Sequence, residues 1–210
     1  MNSSERKNQL REIFLNQRRE LSVEEWKRSS ETITNRFMDC LDQIIPDHPK
    51  LGSRGMNIHC YLSTEKNREV RTDELIKQLK YQGHVVGSPK TDWNSFTMKT
   101  IALLPSTSIK EGNLGIREPE EGEVIPVDQL DMVIVPSVAL DKEGGRIGYG
   151  KGFYDRYLSI LKEGLLEDQK PITIAPAFDF SLSEEPFILE DTDVKIDWIV
   201  TEKRLIKTPS

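Results

Sequence analysis

Apolar positions recur with a helical period at the start of the chain, where Leu10, Ile13, Phe14 and Leu21 follow Ser3 and Ser4. A second helix is predicted from Ser22-Val23-Glu24-Glu25, which has the form of a capping box. It would carry Trp26, Ile33, Phe37 and Leu41 inward and end near Pro46. His48 to Gly55, with Pro49 and two glycines, reads as a loop. The period then shortens. Asn57 to Leu62, His84 to Pro89, Thr100 to Pro105, Met132 to Leu140 and Ile172 to Phe178 are short apolar or alternating runs, predicted as strands, with Pro176 marking an end. A polar segment with Trp93, Phe96 and Met98 separates the second run from the third. Thr72 is placed to cap a helix with Leu75, Ile76 and Leu79. Tyr154, Tyr157, Leu158 and Leu161 give another helix facing a core, which ends over Gly164 to Lys170. Asp191 to Glu202 closes the chain with a last strand. Strands alternating with helices predict a single α/β domain over residues 1–210. Its sheet would be largely parallel, with helices on both faces and ligands at the carboxyl ends of the strands.

Composition narrows the classes. With 29 basic and 35 acidic residues among 210, the net charge is −6, which argues against general nucleic-acid binding and makes any cationic feature local. No apolar run is long enough to span a bilayer, and Met1 to Gln9 lacks the apolar core of a signal peptide, so a cytoplasmic location is expected. Cys40 and Cys60 stand apart and are expected as reduced, buried thiols. His48, His59 and His84 adjoin no nucleophile arrangement, and Ser137, expected within a strand, lacks a nucleophile elbow. Phe178, Phe180 and Phe187 read as core or pocket wall, because the charge around them is acidic.

One stretch concentrates chemistry. From Gly144 to Arg156, glycines alternate with Arg146, Lys151 and Arg156 between a predicted strand and a predicted helix. Orphan N–H groups at a helix start, permissive backbone and nearby cations together suit a polyphosphate, and Asp155 is an acid placed to hold Mg²⁺ beside it. The same glycines would also serve a plain turn, and the spacing matches neither the Walker loop nor the dinucleotide fingerprint. Lys7 and Arg11 lie four apart on the first helix, as they would on a phosphate-facing surface or on an ordinary solvated face. Arg18 and Arg19 read as surface. Glu69 has two oxygens that suit adjacent N–H donors of a heteroaromatic ring, and it would equally suit the dipole at a helix start.

The run Gly145-Arg146-Ile147-Gly148-Tyr149-Gly150-Lys151-Gly152-Phe153-Tyr154-Asp155-Arg156 resembles the signature of the 5-formyltetrahydrofolate cyclo-ligases, also called 5,10-methenyltetrahydrofolate synthetases. Asn113-Leu114-Gly115-Ile116-Arg117-Glu118-Pro119 and Asp193 to Glu202 resemble further segments of that family, and Pro89-Lys90 with Met98 does so weakly. The resemblance implies a three-layer αβα fold like that of ribose-phosphate isomerases and CoA transferases. It also implies ATP- and Mg²⁺-dependent cyclisation of 5-formyltetrahydrofolate, with ATP as co-substrate, no nucleic-acid or membrane partner, and a monomer.

By the same resemblance, Lys7, Arg11, Arg146, Ile147, Gly148, Tyr149, Gly150, Lys151, Gly152, Phe153 and Tyr154 contact ATP, and Arg146 and Lys151 are catalytic. Leu62 and Glu69 contact the folate together with Tyr149, Gly150, Lys151, Gly152, Phe153 and Tyr154. Asp155 and Asp193 hold the metal, with Asp191 and Asp197 as competitors. The segment around Leu114 shapes the folate pocket, and Phe153 stands where relatives carry a tyrosine. A catalytically silent folate- or nucleotide-binding regulator and a sugar-phosphate isomerase are the other readings of such a chain. ATP dependence separates the three.

Overall fold

A computed structural model describes residues 3–45, 55–166, 169–190 and 192–209. Most of the loop expected from His48, and Asp191, therefore lie outside the described residues, as do two positions within the expected stop after Gly164. The chain begins with helices α1 (Ser3–Glu20) and α2 (Val23–Ile44), strand β1 (Asn57–Cys60) and helix α3 (Asp73–Tyr81). Strands β2 (Val85–Asp92), β3 (Thr97–Ala102), β4 (Ile109–Glu111), β5 (Arg117–Pro119) and β6 (Val124–Ile125) follow. Next come β7 (Met132–Ile134), β8 (Ala139–Asp141), β9 (Arg146–Ile147) and helix α4 (Phe153–Glu163). The chain ends with β10 (Ile172–Pro176), β11 (Leu182–Ser183), β12 (Trp198–Val200) and β13 (Leu205–Lys207).

The main sheet runs β13-β12-β10-β7-β1-β2-β3-β6. Its centre, β12 to β2, is parallel, and both margins are antiparallel. Alternation assigns the faces. Ile58 and Cys60 of β1 pack with Phe37, Leu41, Leu75 and Leu79 of α2 and α3. Val133 and Ala175 point the other way and join Tyr157, Leu158 and Leu161 of α4. Helices thus cover both faces, as the alternation of elements predicts. A second, three-stranded sheet, β11-β8-β9, receives Leu10, Phe14 and Leu15 of α1 against Val138, Ala139 and Ile147. Among the described residues no helix is long and apolar enough to cross a membrane.

Several local expectations are corrected. Met132 to Leu140 is two strands in two sheets, because Pro136 offers no N–H to a ladder and the Ser137 and Val138 carbonyls are taken by a side chain from α1. Ser137 accordingly lies between strands. The segment with Trp93 and Phe96 is the turn of the β2–β3 hairpin, in which Asp92 Oδ1 accepts from Asn94 N at 2.8 Å and Ser95 N at 3.3 Å. Met98 belongs to β3. The strand in Asp191 to Glu202 is followed by β13, which pairs with it. Leu21 falls beyond α1. Phe178 and Phe180 stack in parallel at 5.5 Å and Phe187 packs beside β8 and β9, so all three serve the core. Cys40 and Cys60 are free and buried.

Two anchors hold the loop after β1 in place. Ser22 Oγ accepts from Glu25 N at 3.1 Å while Glu25 Oε2 accepts from Ser22 N at 2.8 Å, so the predicted capping box forms. It starts the helix whose Trp26 donates from Nε1 to the Glu69 carbonyl at 2.6 Å. Thr72 stands at the start of α3 without capping it. Its hydroxyl donates instead to Tyr61 O at 2.8 Å and accepts from Ser63 N at 3.1 Å, which closes the loop.

His59 is fully buried between β3 and α4, with Nδ1 2.8 Å from Thr100 Oγ1 and Nε2 3.0 Å from Tyr154 Oη. Burial pulls the imidazole down from 6.5 to about 3, so in the folded state it stays neutral where the unfolded chain takes up a proton. Its contribution to stability is complete above the unfolded value and falls as pH drops from about 6.5 towards 3. Between pH 7 and 5 the wild type should lose about 2 kcal/mol through this group. Urea titrations of the wild type and His59→Asn at both pH values check this: the variant's loss should be smaller by that amount, and equal losses would refute it.

Candidate active site

Beyond the carboxyl ends of β1 and β7 lies a cavity of ≈ 780 Å³, within the usual range for small-molecule sites. The glycine-rich stretch forms much of its wall, but not as a single loop. Gly144 and Gly145 turn the β8–β9 hairpin, Arg146 and Ile147 are β9, and Gly148 to Gly152 lead into α4. Gly150 takes φ +82 and passes so close to Arg11 that a Cβ would sit 3.2 Å from its Cζ.

Every residue selected from the sequence meets this one cavity. Lys7 and Arg11 enter from α1, Leu62 and Glu69 from the loop after β1, Arg146 to Asp155 from the glycine-rich stretch, and Asp193 from the segment before β12. They come from parts of the chain that share no local pattern. Arg11 donates from Nε to Gly148 O at 2.6 Å, and burial lowers its pKa, opposed by Glu12 and then Asp155. Lys7 Nζ bonds Asp193 Oδ2 and lies 3.8 Å from Glu190 Oε1. These two cations are therefore engaged across the cavity and do not form a solvated face.

Arg146 is 6% exposed, and its guanidinium is held inside the cavity wall. It donates to Asp155 Oδ1, approaches Pro136 O at 3.4 Å and lies 6.0 Å from the Tyr154 ring centroid. Its buried Nε–H has no partner among the described residues. Lys151 is exposed. Phe153 packs edge-on to Trp93 at 4.9 Å, with Arg156 over its ring at 5.8 Å.

Glu69 is buried. Its Oε2 accepts from Thr64 N at 2.6 Å and Thr64 Oγ1 at 3.0 Å. Burial raises its pKa, and the Thr64, Tyr149 and Arg18 interactions oppose the rise. It is not the dipole-facing helix acid that its position also allowed. Asp155 and Asp193 face the same cavity, each beside a cation, and among the described residues no three metal-binding side chains cluster into a cage. A Mg²⁺ ion that arrives with phosphates needs only one or two carboxylates, so these oxygen donors fit it. Asp197 is otherwise occupied, accepting from Thr173 N and Oγ1 at 2.8 Å each.

Sequence reasoning missed Arg18, which is 2% exposed and not on the surface. Its place was signalled by spacing: Lys7, Arg11, Phe14 and Arg18 share one helical stripe. Arg19 is exposed, as expected. The cavity also takes in Tyr61, Thr64, Thr91 and Trp93, none of which had been assigned to the site, and Leu114, Ile116 and Arg117 from the segment expected to shape it.

The model of the 5-formyltetrahydrofolate cyclo-ligase family matches residues 3–202. A 5-formyltetrahydrofolate cyclo-ligase of Mus musculus is 31% identical over 196 residues, covering 88% of this chain and 87% of its own. One of Haemophilus influenzae is 28% identical over 159 residues, covering 74% and 79%. Among solved structures, the 5,10-methenyltetrahydrofolate synthetase of Aquifex aeolicus is similar with a TM-score of 0.72 at 28% identity, covering 97% of this chain and 93% of that one. That of Mycoplasma pneumoniae gives 0.68 at 23%, covering 93% and 98%, and supports the fold.

A Cβ on Gly148 would lie 2.6 Å from Arg146 Nη1, so Gly148→Ala must shift the guanidinium from its place beside Pro136 and Asp155. It should weaken binding of inorganic triphosphate by about tenfold or more while leaving the melting temperature within a few degrees of the wild type. Calorimetric titration beside a thermal melt reads both, and unchanged triphosphate affinity would refute the arrangement.

Proposed function

The chain belongs to the 5-formyltetrahydrofolate cyclo-ligase family and is an enzyme of that kind; from this premise we propose that it couples ATP hydrolysis to closure of the 5,10-methenyl ring. The formyl oxygen of 5-formyltetrahydrofolate attacks the γ-phosphorus, the bond to the β-phosphate oxygen breaks, and ADP leaves. N10 then attacks the activated formyl carbon and gives up its proton. The carbon–oxygen bond to phosphate breaks, leaving 5,10-methenyltetrahydrofolate and inorganic phosphate.

The single observation that carries this reading is the convergence of α1, the loop after β1, the glycine-rich stretch and Asp193 on one cavity. Phosphoryl transfer asks chiefly for positioning and charge stabilisation. In this reading Arg146 and Lys151 act on the transferring phosphoryl group, while Lys7 and Arg11 hold the nucleotide against backbone N–H groups of the glycine-rich stretch. Leu62 and Tyr154 line the folate side, where Glu69 accepts from ring donors. Asp155 and Asp193 would hold Mg²⁺. That ion, when bound, offsets negative charge on the phosphates. No protein nucleophile is needed, and the buried, neutral His59 stands behind Tyr154 without entering the chemistry. The three-layer arrangement of the ribose-phosphate isomerase and CoA transferase type is the fold name we attach to this architecture.

The test mixes protein, 5-formyltetrahydrofolate, Mg²⁺ and ATP and follows the near-ultraviolet absorbance of the methenyl product. Absorbance should grow only with ATP, and Arg146→Ala should lower kcat by about a hundredfold or more. Asp155→Asn should also weaken the response to Mg²⁺. No growth despite measurable binding of ATP and folate would overturn the proposal in favour of a silent binding protein.

A further inference from the structure

Each of the two carboxylates assigned to the metal has a cation for a partner, and the two partners differ in kind. Asp155 Oδ1 is bonded to Arg146, whose side chain is 4% exposed and also reaches Pro136 O. Asp193 Oδ2 is bonded to Lys7 Nζ and accepts from Glu190 N at 2.6 Å, while Glu190 Oε1 lies 3.8 Å from the same ammonium. The side chains of Lys7 and Asp193 are each 15% exposed, so water reaches this pair. An arginine fork locks into its acceptors, whereas a lysine ammonium is a compact, strongly hydrated charge on a flexible stem. Of the two cations, Lys7 is the one that can change partners.

A divalent cation that approaches alone meets carboxylates whose charge is already offset. Cationic side chains outnumber acidic ones along the cavity lining, even with Glu69 counted. To reach Asp193 the ion must displace an ammonium and shed water, and Mg²⁺ dehydrates reluctantly. A triphosphate reverses the balance, because it brings negative charge and offers the ammonium other oxygens. Lys7 is placed to follow it, one turn before Arg11 on the face of α1 that meets the glycine-rich stretch.

We propose that Lys7 is an exchangeable counter-ion. It pairs with Asp193 until a nucleotide enters, then passes its charge to the phosphates and releases the carboxylate, so that the cavity admits a divalent cation only together with a triphosphate. Arg146 keeps Asp155 Oδ1 throughout. The inference rests on the reading of Asp155 and Asp193 as metal contacts.

The experiment titrates Mn²⁺, which shares the octahedral oxygen preference of Mg²⁺, into the protein and follows the electron paramagnetic resonance signal of the free ion. It is run without nucleotide and again with the β,γ-imido analogue of ATP. The variants are Lys7→Met, Lys7→Arg, Asp193→Asn and the Lys7→Met/Asp193→Asn double, each checked by thermal melting. Without nucleotide, Lys7→Met should bind Mn²⁺ about tenfold or more tighter than the wild type, because a unit charge in contact with the acid is gone. Lys7→Arg keeps the charge and should stay within about threefold of the wild type. The double variant should lose the gain.

If Lys7→Met does not fold, Lys7→Gln takes its place with the same expectation. An unchanged Mn²⁺ affinity in Lys7→Met, a gain that survives Asp193→Asn, the same gain in Lys7→Arg, or a wild type that binds Mn²⁺ as tightly alone as with the analogue would overturn the proposal. Asp193→Asn tells this failure from that of the premise. If it leaves Mn²⁺ binding with the analogue unchanged, the reading of Asp193 as a metal contact falls and the proposal with it; if it releases the ion while Lys7→Met shows no gain, the proposal alone falls.

Discussion

A guanidinium taken out of water must find oxygen acceptors inside the protein, and the way Arg18 does so organises this molecule. Its targets are the carbonyls of Ser137 and Val138, where the chain leaves the main sheet after β7 and crosses to the small one. The bonds to those carbonyls also seat α1. With α1 in place, Arg11 meets Gly148 and Lys7 meets Asp193, so the cavity wall is assembled from segments far apart in sequence. Leaving a buried charge without its partners typically costs about 3–5 kcal/mol, so the clamp is strongly held.

The cavity charges are paired without being used up. Arg146 bonds Asp155, Lys7 bonds Asp193, and the Tyr149 hydroxyl accepts from Arg18. Each pair fixes a long side chain in one orientation before any ligand arrives, which is what electrostatic preorganisation demands. Arg146 keeps a buried Nε–H without a partner among the described residues, so part of its donor capacity is unspent. On the other wall Glu69 is steadied from two directions: Trp26 on its backbone and Thr64 on its carboxylate.

What could be read from the sequence was what has a period or a motif. The capping box at Ser22, the buried alternation of β1 and the inward face of α4 are local, and they formed as the residue pattern dictates. The contiguous glycine-rich motif led to the right wall of the cavity. Local pattern failed where tertiary pairing decides. Met132 to Leu140 looks like one strand because all its residues are apolar or small, yet Pro136 within it was a visible break. Arg18 looked like surface beside Arg19, since arginine is seldom buried. Only its register with Lys7, Arg11 and Phe14 marked it as inward, and only the fold supplies the carbonyls and the phenol it needs. The Arg18–Tyr149 bond joins residues 131 apart and had no sequence signal at all.

The central claim is that one cavity brings the formyl oxygen of the folate against the terminal phosphorus of ATP, so that this oxygen leaves as part of the phosphate. The most direct measurement supplies 5-formyltetrahydrofolate labelled with ¹⁸O in the formyl group, lets the enzyme turn it over with Mg²⁺ and unlabelled ATP, and analyses the released phosphate by mass spectrometry. The account predicts one heavy oxygen in each phosphate released during ring closure. Unlabelled phosphate, released in step with methenyl product, would contradict it.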